Sequence, residues 1–334
     1  MKHFVRFVLC MAIIAVLSTR SFAGQKPVVL KMNIAATDTS VWMVAAREFK
    51  RLVEEGTEGR YVINLYPNDQ LAAGNQVKGL EMLFKGIIDV DMHSAMTMPS
   101  FEPRIQVCFL PWIFKNGYDS VDEIIFNGAG GEMIKQLFRE KGAVPLALAE
   151  NGFRHITNNV RELKTPEDFK DLKMRVPPLP LYIDLFRLLG ADPVIMSYTE
   201  LFTSLQQGTI DGQENPYDFI SANKIQEVSK YMTICNYSYD PSVLSVSQKT
   251  WALLSDADRE LFQEAAIIAC KKQVVASREN NMAVHKIIED AGVKIHTMTD
   301  AEKAVFIELV KPLFLKYKDE YTEEVFNAFG YYFD

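Results

Sequence analysis

LKMRVPPLPLYIDLFRLLGADPVIMSYTELFTSLQQGTIDGQENP, residues 172–216, changes its periodicity every few residues, and those changes decide the fold. Lys173–Val176 reads as a strand closed by Pro177 and Pro178. Leu181, Leu185, Leu188 and Leu189 then line one helical face, and Gly190 supplies the left-handed stop. Val194–Met196 is strand-like again. Ser197 and Glu200 form a capping box for a helix through Gln207, which Gly208 ends. Thr209–Glu214 returns as a strand into Asn215-Pro216. This alternation predicts α/β architecture with right-handed crossovers and a mixed, mostly parallel sheet.

The same alternation appears upstream. Val28–Ala36 is a strand, and Trp42–Thr57 a helix with Trp42, Ala45, Ala46, Phe49, Leu52 and Val53 on one face. Arg60–Tyr66 alternates as a second strand, ended by Pro67-Asn68-Asp69. Gly74–Lys85 reads as a helix stopped by Gly86, and IIDVDM (87–92) as the next strand. Closer to the opening stretch, Asn151–Ile156 reads as a strand, and Thr165-Pro166-Glu167-Asp168 starts a short helix. After Ser255 a helical pattern runs without Gly or Pro to Ala291. It predicts either one helix of ~50 Å, long enough to brace both units, or two helices broken near Asn280-Asn281.

The first residues have a different character. A basic start (MKHFVR) precedes the apolar run FVLCMAIIAVL and small residues at Ser21 and Ala23. This is the pattern of a secretory signal cleaved after Ala23, and the run is shorter than the ~20 apolar residues a membrane span needs. Cleavage would leave 311 residues and remove Lys2, Arg6 and Arg20 but no acid, taking the formal charge from −7 to −10. So acidic a chain argues against nucleic acid as a partner. Cys108, Cys235 and Cys270 have no metal or redox spacing, so buried thiols are expected, with one disulfide among the three as the alternative.

Open α/β sheets bind ligands at the carboxyl ends of their strands. Arg154, Arg175 and Asn215 fall at or near such ends. A guanidinium presents a planar fork that matches a carboxylate in two parallel hydrogen bonds, and an asparagine amide can donate a third. The sequence holds no glycine-rich phosphate loop, His-Glu-x-x-His or Gly-x-Ser-x-Gly. No catalytic residue, metal or cofactor is expected.

From about Val28 onward the chain resembles the extracytoplasmic solute-binding proteins of TRAP (tripartite ATP-independent periplasmic) transporters. The resemblance is carried by NLYPNDQLAAG (64–74), GFRHITN (152–158), LKMRVP (172–177) and LGADPVIMSYTELFTSLQQGTIDGQENP (189–216). It implies a two-domain periplasmic binding protein fold of type II-like form, with the long helix bridging both domains. The expected division is 27–151 with 240–278 for domain I, and 152–239 with 279–334 for domain II. By position, Arg175 would pair with the ligand carboxylate, Arg154 would be its partner and Asn215 would donate to the same group. Tyr198 would lay a ring on the ligand, and the segment around Leu179 would shape the pocket wall. In domain I, Asp38, Thr39, Trp42, Asn75, His93 and Ser94 are candidate contacts. Trp42 as core, Asn75 as a helix cap and His93 as a hydrogen-bonded structural residue are the ordinary alternatives. Asp240 lies where the chain crosses back, with its role open.

The resemblance further implies a periplasmic monomer that captures an organic acid and passes it to the small and large membrane subunits. A uronic or aldonic sugar acid is the expected ligand, with a C4-dicarboxylate or aromatic acid as alternatives. A periplasmic sensor feeding a kinase and an enzyme built on a binding-protein fold are the rival classes.

Overall fold

The computed structural model describes residues 26–331; the expected export signal lies outside them. Strands β1 (Val28–Ile34), β2 (Tyr61–Tyr66) and β3 (Val90–Ser94) pair in parallel in the order β2-β1-β3. Helices α1 (Trp42–Gly56) and α2 (Gln76–Phe84) make the crossovers. The buried face of α1 carries Trp42, Met43, Ala45, Ala46, Phe49 and Val53, close to the stripe read from its periodicity. β3 starts three residues later than expected. α2 begins after Asn75, whose side chain accepts from the Lys78 amide.

Sequence patterning assigns no elements between the third strand and residue 151. There the structure has tight turns at Ala95–Ser100 and Pro103–Phe109, then α3 (Ala129–Glu140). The short turns have too few residues to show a period, whereas α3, with Met133, Ile134, Leu137 and Phe138 buried on one face, carries a readable one that went unassigned. β4 (Ala143–Asn158) is far longer than the predicted Asn151–Ile156 and is buried along nearly its whole length. A strand covered on both faces has no alternation to read.

The opening stretch folds in the order read: β5 (Lys173–Val176), α4 (Pro180–Leu188), β6 (Asp192–Ile195, two residues earlier than expected), then α5 (Leu201–Gln206); the strand expected from Thr209 begins three residues later, at Gly212. Both ends of the Ser197/Glu200 capping box are made. β7 (Gly212–Pro216) and α6 (Tyr217–Ala222) follow, then β8 (Tyr231–Ile234) and β9 (Tyr239–Ser247). α7 (Asp256–Asp290) is the single long helix, capped by Ser255, and packs on α1, β4 and α6. β10 (Lys294–Thr297), α8 (Asp300–Glu320) and a short last helix (Glu323–Ala328) close the described fold.

The main strand order is β2-β1-β3-β9-β4-β7-β5-β6, with β8 between β4 and β10. β4 and β9 are antiparallel and join the two parallel groups. Register shifts at Glu150/Gly152, and Gly152 has φ +114°. Only glycine takes that conformation without strain, so the bend between the two halves is written at this residue. Beyond it β4 leaves β9 and pairs with β7 and β8. Cys108, Cys235 and Cys270 are buried free thiols.

Candidate functional site

The two halves meet around a cavity of about 30 Å³. From the first half it is lined by Gln76 at the start of α2, Ser94 at the end of β3, and Met96 and Thr97 in the turn that follows. From the second come Arg175 on β5, Pro177 just after it, Tyr198 after β6, Asn215 on β7 and Phe219 on α6. The crossing strands supply Asn151 and Arg154 from β4 and Asp240 from β9. The parallel strands thus present their carboxyl ends to one point, as open sheets do.

Arg175 is 2% exposed. Its Nε donates to the Met196 carbonyl at 2.9 Å, which fixes the guanidinium plane. Among the described residues no carboxylate forms an ion pair with it. Burial, together with repulsion from Arg154 and against partial relief from Glu214, pulls its pKa down to about 10. A buried cation with no counter-ion is costly, and an anion bound at the free end of the fork would offset that cost.

Arg154 has a different environment. Its Nε and Nη2 make a bidentate pair with Glu214, the Nη2–Oε1 distance being 2.7 Å. Nη2 also donates to Asn215 Oδ1 at 3.1 Å, and Nη1 to Asp240 Oδ2 at 3.2 Å. Tyr237 donates to Glu214 Oε2 at 2.6 Å. Arg154 lines the cavity, but its charge is already answered by two internal acids. Asn215 is likewise engaged, its Nδ2 donating to Gln213.

Asp240 accepts from Ser94 Oγ at 2.7 Å and from Asn151 Nδ2 at 2.6 Å. Burial pushes its carboxyl up to about 6, against the opposing pull of Arg154, Asn151 and Ser94. The Tyr198 hydroxyl donates to the Phe219 carbonyl at 2.8 Å, and the two rings lie 4.9 Å apart.

The cavity wall thus brings together Arg175, Arg154, Asn215, Tyr198, Ser94 and Asp240. The other sequence candidates lie outside its lining. Asp38 is exposed and pairs with Arg47, and Thr39 faces Thr37 on the surface. Trp42 is core, edge-on to Phe219 at 5.3 Å. Asn75 caps α2, which hands the cavity position to Gln76. Leu179 is buried at the start of α4, and Pro177 takes its place on the wall. Gln76, Met96, Thr97, Asn151 and Phe219 went unread. Asn151 directly precedes the Gly152 bend, the one sequence signal that pointed to it.

His93 sits behind the wall. Its Nδ1 lies 2.7 Å from Asp91 Oδ2, and its Nε2 is 3.7 Å from Asp69 Oδ1. Asn33 Nδ2 donates to both Asp69 and Asp91. A Cβ at Gly79 would come within 2.6 Å of Asp69 Oδ1, so glycine lets α2 close over the cluster. Burial disfavours the charged ring, but Asp91 and Asp69 outweigh it and raise its pKa to about 9. A raised folded-state value means the native state binds more protons, so stability falls as pH rises. His93 should contribute fully below pH ~6.5 and lose its contribution by pH ~9, on the order of 3 kcal/mol. Urea unfolding of wild type and His93→Gln should show a gap that closes across this window; a gap independent of pH would show that the ring is not charged in the fold.

A cavity between two α/β halves, lined by a buried guanidinium that no carboxylate among the described residues pairs with, suits capture of a small anionic solute. The chain belongs to the family described as bacterial extracellular solute-binding protein, family 7, which matches residues 32–320. Its members are extracytoplasmic, bind small organic acids, work with the membrane subunits of TRAP transporters and are not enzymes. The chain is similar to a TRAP periplasmic solute-binding protein from Ralstonia eutropha H16 with bound (S)-2-acetolactate. That pair shares 32% identity at TM-score 0.86, over 90% of this chain and 98% of the other. It is also similar to the sugar acid binding protein DctPAm from Advenella mimigardefordensis in complex with galactonate (29%, TM-score 0.84, 91% and 98% covered). A third similar structure, from Shewanella oneidensis, holds succinate (28%, TM-score 0.85, 91% and 98% covered).

Proposed function

We propose that this protein captures a hydroxylated organic acid, of the uronic or aldonic kind, by seating its carboxylate on Arg175. The observation that carries the reading is a deeply buried guanidinium that lines a cavity and has no internal carboxylate paired with it. Relatives that hold galactonate and galacturonate support the ligand class.

About 30 Å³ holds roughly one water molecule. A sugar acid needs more room than this, so the walls must separate to admit it and then close around it less tightly than they stand here. Three contacts hold the walls together at the rim. Asp218 on α6 accepts from Ser40 Oγ at 2.5 Å and from the Val41 amide at 3.1 Å, at the start of α1. Trp42 packs on Phe219. Gly74 approaches Thr199, where an added Cβ would lie 3.2 Å from the threonine side chain. The lobes are 27–151 with 240–278 and 152–239 with 279–334, turning about the bend at Gly152. Ligand shifts the equilibrium toward closure because only the closed form lets both lobes touch it. The export signal at 1–23 delivers a monomer to the periplasm, where it meets the small and large membrane subunits.

A thermal-shift screen tests the function. At 100 times its Kd a ligand that binds only the native state adds about 2.7 kcal/mol. One or more sugar acids should raise the melting point, and the matching neutral sugar alcohols should not. Equal shifts with acid and alcohol would remove the carboxylate from the account.

A further inference from the structure

We propose that Asn151 and Asp240 make the site selective for an acid with one carboxylate and a hydroxyl within reach of Asn151, against dicarboxylates of similar size. The inference rests on the reading of Arg175 as the carboxylate seat and extends it to the rest of the ligand.

The first observation is an unpartnered atom. Asn151 is 3% exposed and lines the cavity, and its Oδ1 is buried without a hydrogen-bond partner. The orientation of its amide follows from Asp240. A carboxylate only accepts, so the nitrogen must face it, and that bond is 2.6 Å long. The free oxygen is then an acceptor that needs a donor. A ligand hydroxyl supplies one; a second carboxylate does not, and would meet an oxygen lone pair instead.

The second observation is the charge inventory. Arg154, Arg175, Glu214 and Asp240 are all buried at the site, two cations and two acids. Arg154 is matched by Glu214 and Asp240, which leaves the Arg175 fork as the single open cationic position. One carboxylate fills it. Among the described residues no further cation lines the cavity for a second. The remaining polar wall is Gln76, Ser94, Thr97, Asn151, Asn215 and Asp240, and Asp240 would repel another anion directly. Its raised pKa marks a carboxylate already held at a cost in charge.

Solved relatives hold either kind of acid, galactonate in one and succinate in another, so the family alone does not decide the matter. Titration calorimetry of the purified protein with D-galactonate, D-glucuronate, D-erythronate and succinate does. At least one hydroxy acid should bind wild type ~30-fold or more tighter than succinate. Asn151→Leu should weaken that hydroxy acid about 10-fold or more, by removing the acceptor, while changing succinate affinity little. Asp240→Asn should narrow the gap from the succinate side. A merely structural role for Asn151 would weaken all four acids by one factor, and that result overturns the proposal. So does succinate binding wild type as tightly as the best hydroxy acid; if Arg175→Ala abolishes that succinate binding, the carboxylate seat stands and only the selectivity falls. Failure of all four acids to bind wild type overturns both. Should Asn151→Leu fail to fold, the wild-type ratio still decides.

Discussion

Arg175→Ala is expected to weaken binding of the acid by about 2–5 kcal/mol, the usual loss when one partner of a buried, hydrogen-bonded charge pair is removed. At 1.4 kcal/mol per decade that is roughly 30-fold to several thousand-fold, which calorimetry resolves. The same substitution should not destabilise the unliganded protein through lost charge, because no carboxylate among the described residues pairs with Arg175 and burial outweighs its attraction to Glu214. Its depressed pKa says that the empty fold holds this cation against the pull of solvent. A melting point that stays level or rises, alongside a collapse in affinity, is the pattern of a ligand-binding arginine. A structural arginine gives the reverse. Arg175→Lys keeps the charge but loses the planar fork and the Nε bond to Met196, so it should recover only part of the affinity.

Glu214→Gln should show that reverse pattern at the neighbouring arginine. Glu214 is fully buried and makes the bidentate pair that neutralises Arg154. Neutralising it leaves Arg154 with Asp240 alone, at 3.2 Å and through one nitrogen. Breaking a buried pair from one side costs about 3–5 kcal/mol. Urea unfolding should record that loss, and the Tyr237 hydroxyl would also lose its carboxylate acceptor. A loss below ~1 kcal/mol would mean that water or Asp240 compensates Arg154 unaided, a result typical of exposed pairs rather than buried ones.

These two arginines mark how far the sequence could be read. Both were read as residues near strand ends; that holds for Arg175, framed by strand, proline and helix signals, but Arg154 lies within β4, four residues short of its end at Asn158. Their difference was not legible. What separates them is Glu214, 60 residues away from Arg154. Pairing across β4 and β7 brings the two together, and no local pattern reports that register. The first half was harder for a related reason. Trp42, Asn75 and His93 have the right chemistry for a ligand, but one position along a strand reverses the direction of a side chain and one position along a helix turns it by about 100°. Asn75 became the cap and Gln76 faced the cavity. His93 turned inward to Asp91 while its neighbour Ser94 reached Asp240. The long helix was legible in its extent but not in its continuity: the pattern also allowed a break near Asn280-Asn281, and the structure has one unbroken helix of 35 residues. β4 was cut short because it is buried on both faces and mixes the apolar run Leu146–Ala149 with the polar Glu150, Asn151, Arg154 and Thr157, which leaves no alternation to follow, and Pro145 and Gly152 interrupt it.

The central claim is tested most directly by a crystal structure with a sugar acid bound. The account predicts carboxylate oxygens about 2.7–2.9 Å from the terminal nitrogens of Arg175, with the Arg154–Glu214 pair intact beside them. A carboxylate seated on Arg154 or on first-lobe groups, with the Arg175 fork turned to solvent or to a protein acid, would contradict it.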